Sequence, residues 1–472
     1  AERHEILRTT FHAGANGEPY QQVHDAAPGM FEYRAPEVGL DEAGIAALIE
    51  SQVFRRFDLA QLPLAKFTLV RLSADEHLLV QVEQHYVHDG WSMNLILREL
   101  LAIYDALGRG EAPDLPPMTA QFGDYAIWQR SEAATARFRR QARYWKDKLA
   151  GAALQLPMIT DRPRPAVPSY RGGQVRVELP KALVCELREF CRREGVTLYA
   201  AMQSVFQLTI SRYAGCDDFV IGSAVANRVA RGIEGLVGMF VNMVPVRCNL
   251  SGDPSYRSLL DRVMADLAEA YDHQEAPFEW VVREVQPERD AGRNPLFQVA
   301  FSSHNSTGPR LKWPEFEFDI HEVYSNNTSK FDFDVIMIPR ARHDPDGVTM
   351  LWSYAADLYD HATIEGITRT YQHLLAACIA DPHRPLAAFE ACDPDARARL
   401  LALGADVREY DRSIPVHARF EAQAARAPDA VAVSCGDVAL GYGALNARAN
   451  RLAHWLRTQG VAPESRVAIC ME

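Results

Sequence analysis

The sequence predicts an α/β protein of more than one domain, and three observations carry that prediction. Short runs with the composition of buried strands alternate with longer segments of helical periodicity, which implies sheets covered by helices. The length, 472 residues, exceeds that of a usual single domain. A proline-rich stretch, with Pro157, Pro163, Pro165 and Pro168 ahead of Gly172 and Gly173, reads as a crossing between two halves.

Taken in order, residues 1–10 read as the last turns of a helix. Residues 78–83 (LLVQVE) read as a short buried strand, and Met93, Ile96, Leu97, Leu100, Leu101 and Tyr104 repeat at helical spacing. An amphipathic helix is expected over 133–149. In the second half, 181–193, 197–213 and 255–271 carry helical periodicity, while 219–225 and 243–248 read as strands. Apolar periodicity weakens over 393–415, where charges crowd residues 393–397 and 408–412, so a linker is expected there. Residues 430–434 then read as a strand, as does the run 466–471. The expected division is 1–160, 161–392, a linker at 393–415, and 416–472. Both ends look cut, so the chain is expected to be part of a longer polypeptide.

Composition narrows the function classes. With 48% hydrophobic and 24% charged residues the chain reads as an ordinary globular protein. No run of about 18 apolar residues implies a membrane span, and no leader pattern opens the chain, so a cytoplasmic protein is expected. The net charge of −12 comes with both signs scattered, which argues against nucleic acid as a partner. The eight cysteines form no Cys-x-x-Cys pair and read as free thiols.

The most informative stretch is Gln84-His85-Tyr86-Val87-His88-Asp89-Gly90, which sets an imidazole and a carboxylate between a strand pattern and a helix pattern. A neutral imidazole offers one donor and one acceptor, with a reference pKa of roughly 6.5 suited to proton handling. His85 is the candidate catalytic residue. His85-x-x-His88-Asp89 invites a metal reading, but a catalytic zinc site needs three protein ligands and no third is evident. His88 is then a loop residue. Gly90 serves either as a tight turn or as open space beside the helix start. Ser92 is a candidate helix cap, and Trp91 reads as core more readily than as ligand.

These residues, with AERHEILRTTF at 1–11, QFGDYAIWQR at 121–130, TDRPRP at 160–165, YRGG at 170–173, GLVGMFVNMVPVR at 235–247, RNPLFQV at 293–299 and WSYAADLYD at 352–360, resemble the condensation domains of nonribosomal peptide synthetases. The resemblance covers about 1–393. It implies two chloramphenicol-acetyltransferase-like lobes arranged as a V-shaped pseudo-dimer with a tunnel between them. Residues 417–472, with LGYGAL at 440–445, resemble the opening of an adenylation domain, truncated before its phosphate loop.

The implied reaction is amide formation between a carrier-bound acyl or aminoacyl thioester and a carrier-bound amine. His85 either positions the amine, takes its proton, or stabilises the zwitterionic intermediate. No cofactor is expected on the chain itself; partner carrier domains, upstream for the donor and downstream for the acceptor, would supply the phosphopantetheine arms. Asp89 invites a triad-like role, but the resemblance implies an ion pair with an arginine, for which Arg8 is the candidate. The family pattern has two adjacent histidines, and here Gln84 takes the first place. Gln84 either replaces an orienting imidazole or marks a domain that only recruits or gates carriers. Asn242 and Ser329, with the neighbouring Lys330 and Asp332, are candidates for lining the tunnel, as are His88 and Trp91. The sequence FSSHN at 301–305 hints at a fatty or polyketide acyl donor, as in starter N-acylation. A coenzyme A-dependent acyltransferase and an epimerisation domain are the competing enzymes.

Overall fold

Isolated apolar residues fix where the chain turns inward, and the first of them, Ile6 and Leu7, lie in a 3-10 turn at Glu5–Arg8 rather than in a helix end. A hairpin of β1 (Thr9–Ala13) and β2 (Pro19–Val23) follows. Next come β3 (Phe31–Arg34), α1 (Glu42–Val53), β4 (Ala65–Arg71) and β5 (His77–Glu83). β4 pairs in parallel with β3 and antiparallel with β5, giving a three-stranded sheet. α2 (Gly90–Gly108), α3 (Phe122–Gln129) and α4 (Glu132–Leu149) complete this part. In this computed structural model, residues 1–35, 42–304, 325–340, 344, 346–405, 411, 413–436 and 438–469 are described.

After the proline-rich crossing the chain forms β6 (Gly172–Glu178), α5 (Lys181–Glu194), α6 (Leu198–Ala214), β7 (Asp218–Val225) and β8 (Asn242–Asn249). It continues through α7 (Tyr256–Asp272), α8 (Phe278–Val285), β9 (Val299–Ser303), β10 (Phe333–Ile338), β11 (Thr349–Ala355) and α9 (His361–Ala380). The strands form one mixed sheet in the order β6-β11-β10-β9-β7-β8. Every helix and strand expected in this half is present within a residue or two of its expected bounds, because strict burial on one face leaves a readable period.

The two cores trade segments. The larger core, built on the six-stranded sheet, takes in Trp145 and Leu149 from α4, and the Trp145 indole N–H donates to the His273 carbonyl at 3.0 Å. The smaller core of Ile6, Leu64, Val87, Ile96 and Phe122 takes in Ile233, Leu236, Val237 and Phe240 from the loop between β7 and β8. Each half therefore completes its neighbour's interior.

The chain divides into two compact units, Ala1–Asp395 and Ala396–Glu472. The stretch expected as a linker holds a helix, α10 (Pro394–Gly404), none of whose residues is buried; 406–410 and 412 of the charged run lie outside the described residues. In the second unit α11 (Val416–Arg426), the antiparallel pair β12 (Val431–Cys435) and β13 (Val438–Gly441), and α12 (Tyr442–Thr458) pack together, with Phe420 against Tyr442. Residues 466–469 carry no strand, and the rest of that expected run lies outside the described residues. No described helix is long and apolar enough to cross a membrane. The seven described cysteines are free.

Candidate active site

The loop between β5 and α2 is held by its own backbone. Val87 is fully buried in the smaller core. Gln84 pins the turn twice: its carbonyl accepts from the Val87 N–H at 3.0 Å and its Oε1 from the Tyr86 N–H at 2.7 Å. The Gln84 amide oxygen is thus used within its own loop.

Asp89 is the N-cap of α2. Its Oδ1 accepts from the Ser92 N–H at 2.8 Å and from the Ser92 hydroxyl at 2.7 Å, so Ser92, the expected cap, is the capped residue. The helix begins at Gly90, three residues before the first apolar position that marked it in the sequence. Gly90 is not among the residues with positive φ, so an obligatory left-handed turn is not its role.

Asp89 is fully buried, and its cationic partner is Arg228, not Arg8. Arg8 is held instead by the His24 carbonyl and the Glu5 carboxylate. Arg228 arrives from the loop between β7 and β8: its Nη2 lies 3.1 and 3.3 Å from the two Asp89 oxygens and 3.0 Å from Ser92 Oγ. Its Nη1 donates to the Ile233 and Leu236 carbonyls at 2.8 and 2.7 Å, and the guanidinium lies 4.1 Å from the Phe240 ring centroid. The Phe240 N–H donates to Asp89 Oδ2 at 3.0 Å. Burial lowers the Arg228 pKa, with Asp89 opposing. A buried pair so well bonded fixes geometry more surely than it adds stability. The partner lies 139 residues away, and the only signal in the sequence was that a buried carboxylate requires a cation.

Two more contacts clamp the start of α2 to that loop. The Trp91 indole N–H donates to the Glu234 carbonyl at 2.9 Å, its ring 43% exposed rather than in the core. Ser92 Oγ accepts from the Gly238 N–H at 3.0 Å and lies 2.9 Å from the Gly238 carbonyl, which shares the one hydroxyl hydrogen with Asp89. A Cβ on Gly238 would lie 2.1 Å from the Phe122 ring, so this approach requires glycine.

On this rigid base His85 is exposed to solvent. Its Nδ1 lies 2.8 Å from the His88 carbonyl. A carbonyl only accepts, so the proton belongs on Nδ1 and the Nε2 lone pair is free. The His88 ring stacks on His85 at 5.1 Å and 19°, and His88 Nδ1 lies 3.1 Å from Glu83 Oε2, at ion-pair distance without hydrogen-bond alignment. The His85 pKa is lowered from 6.5, first by burial and then by His88; the bond to the His88 carbonyl opposes, and Lys330 adds to the lowering. The ring is thus partly desolvated by its neighbours while part of the residue remains open to solvent. His304, whose own pKa is lowered by burial and by His85, is also in electrostatic reach. Charged groups of both halves therefore act electrostatically on this imidazole.

Asn242 and Ser329 serve packing instead of presenting free side chains. Asn242 Nδ2 donates to the Gln274 and Ala276 carbonyls at 2.8 and 2.7 Å, and Ser329 Oγ donates to the Phe331 carbonyl at 2.8 Å. They are only 9% and 5% exposed. Asp332 is tied to Arg164 through both oxygens. Asn305 lies outside the described residues. Among the described residues no group of three or more His, Cys, Asp or Glu is placed to hold a metal ion.

The condensation domain family matches residues 1–401, and the AMP-binding enzyme family matches residues 420–472. The chain is 35% identical over 483 residues to a linear gramicidin synthase of Brevibacillus parabrevis, with all of this chain and 6% of that protein covered. It is 38% identical over 486 residues to chondramide synthase of Chondromyces crocatus, again over its whole length but over 12% of that protein. The chain thus spans only a small part of the length of these relatives. Among solved structures it is similar to the X-domain from teicoplanin biosynthesis, at 29% identity and a TM-score of 0.72, covering 83% of this chain and 87% of that one. The same X-domain in complex with OxyB aligns at 0.71. A four-domain nonribosomal peptide synthetase bound to AMP and glycine shares the fold at 20% identity and a TM-score of 0.72, over 98% of this chain and 35% of that one. The chain belongs to the condensation domains of nonribosomal peptide synthetases, the domains that form the amide bond in those assemblies, and runs on into the start of an AMP-binding domain.

Proposed function

We propose that this domain joins a carrier-bound acyl or aminoacyl thioester to a carrier-bound amine, with the Nε2 of His85 as the group that meets the attacking nitrogen. The observation that carries the reading is the free Nε2 lone pair of a neutral imidazole, its tautomer fixed by the His88 carbonyl and its charge state influenced by groups of both halves. Upstream and downstream carrier domains deliver the substrates on phosphopantetheine arms, and the reaction takes place in the cytoplasm. Most of the acceleration comes from holding two tethered reactants in line, and His85 contributes the proton handling.

The expected result with loaded donor and acceptor carriers is condensed product from the unaltered chain, with His85→Ala slowed by about a hundredfold or more, the range of general acid–base catalysis. Undiminished turnover by His85→Ala would refute the assignment. Asp89, Arg228 and Gly90 shape the site. Gln84 supports a second reading, a domain that recruits or gates carriers, and the X-domain solved with OxyB is a relative of this fold that holds a protein partner. Carrier binding without product, with product restored by Gln84→His, favours that reading.

A further inference from the structure

Gln84 stands where an orienting imidazole is expected, yet its amide oxygen is spent on the Tyr86 N–H. The orientation of the His85 ring is therefore set by other groups, and its contacts lead to His88. That residue meets His85 twice: its carbonyl lies 2.8 Å from His85 Nδ1, and its ring stacks on the His85 ring at 5.1 Å and 19°. Nor is the His88 ring left to turn. Its Nδ1 is buried and lies 3.1 Å from Glu83 Oε2.

Glu83 is the last residue of β5 and pairs with the fully buried Ala65 of β4. Its side chain is only 2% exposed. The other carboxylate oxygen, Oε1, accepts from Gln81 Nε2 at 2.9 Å, and that Nε2 also lies 3.1 Å from Met93 Sδ on α2. Gln81 and Glu83 share one face of the strand, because successive side chains alternate. A carboxylate so enclosed needs donors. An oxygen facing the bare lone pair of a ring nitrogen at 3.1 Å would be repelled, so the His88 proton belongs on Nδ1. Both imidazoles thus turn Nδ1 to an acceptor, His85 to a carbonyl and His88 to a carboxylate.

We infer that Glu83 is a positioning residue for His85: it anchors His88 to a strand, and His88 in turn fixes the plane and the tautomer of the imidazole that meets the nucleophile. The inference rests on the reading of His85 given above and adds to it the groups that aim the ring. Glu83 touches no substrate in this scheme. Its effect is to narrow the orientations of a side chain carried on an exposed loop residue. A His85 ring free to turn would spend part of its time with Nε2 aimed elsewhere or carrying the proton, and a misplacement of about 1 Å can cost about a hundredfold in rate.

The test compares the full chain with Glu83→Gln, which keeps the size of the side chain and removes the carboxylate, and with His88→Ala, which removes the stacked ring. Loaded donor and acceptor carriers supply the substrates, and nitrogen NMR of labelled histidines reads the tautomers. In the unaltered chain neutral His85 and neutral His88 are both expected as the Nδ1–H form. In Glu83→Gln the His88 preference is expected to be lost, and in either variant His85 is expected to populate the Nε2–H form. Amide formation at saturating carriers is expected to slow about ten- to a hundredfold in each variant, with carrier KM changed by less than about twofold. The double variant is expected to be no slower than the slower single one, since both substitutions break one chain of contacts. His88→Ala, a truncation on the loop, carries the test should Glu83→Gln fail to fold. An unchanged His85 tautomer, losses that multiply in the double variant, a loss confined to KM, or turnover equal to that of the unaltered chain overturns the inference and leaves the assignment of His85 intact. No product from the unaltered chain, or undiminished turnover by His85→Ala, overturns that assignment and this inference with it.

Discussion

An imidazole whose pKa is held below its ordinary value stays neutral, and able to accept a proton, across the whole neutral range. For His85 burial and the neighbouring His88 both act in that direction. His88→Phe keeps a ring against His85 and removes a repelling charge, so His85 is expected to titrate at higher pH in an NMR pH series. The acid limb of the pH–rate profile should move up with it; an unmoved titration would mean that burial alone sets the value. Asp334 shifts the other way, with a folded pKa of about 7 against roughly 3.9 in an unfolded chain. Between those values the folded state binds more protons, so this group's contribution to stability falls as pH rises through the window. Asp334→Asn is therefore expected to melt above the unaltered chain at pH 8, with the advantage vanishing near pH 4, as checked by thermal denaturation at both pH values. His85 was legible from the sequence because it lies between a strand and a helix pattern. The raised pKa of Asp334 was not, since a lone carboxylate in an apolar strand looks the same in one dimension whether its face is buried or open to solvent.

At the scale of elements, α2 is aimed by its first turn. Asp89 caps it, and Arg228 and the Phe240 N–H hold Asp89 from the neighbouring half. Asp89→Ala removes the cap and leaves a guanidinium buried without its counter-ion, a change expected to cost about 3–5 kcal/mol in denaturant unfolding. Arg228→Lys should recover little of an Arg228→Ala loss, because an ammonium cannot reproduce the planar fork that reaches Asp89 and two carbonyls at once. Gly238→Ala, meeting the Phe122 ring, is expected to cost about 1–3 kcal/mol through overpacking; a variant as stable as the unaltered chain would show that the clamp yields freely. The helix itself was legible from its apolar period. Its cap was misplaced because Ser and Asp are both good N-caps, and periodicity marks the first buried residue of a helix rather than its first residue.

For the molecule as a whole, the exchange of segments between the two cores ties residues 1–395 into one compact unit, which is expected to unfold cooperatively. Trp145, fully buried from α4 in the larger core, is expected on mutation to Ala to cost about 3–5 kcal/mol. Its loss should lower the melting of both halves together, followed by hydrogen exchange in β4 and in β7; protection lost in one strand alone would show the halves to be independent. The family, the two-lobed α/β plan and the position of the imidazole were determined by the sequence alone, because local period and motif order survive in one dimension. Which arginine meets Asp89 and which tautomer His85 adopts were decided only by the tertiary structure. Each depends on groups brought together across loops and sheets, where burial and charge act through space and leave no period along the chain.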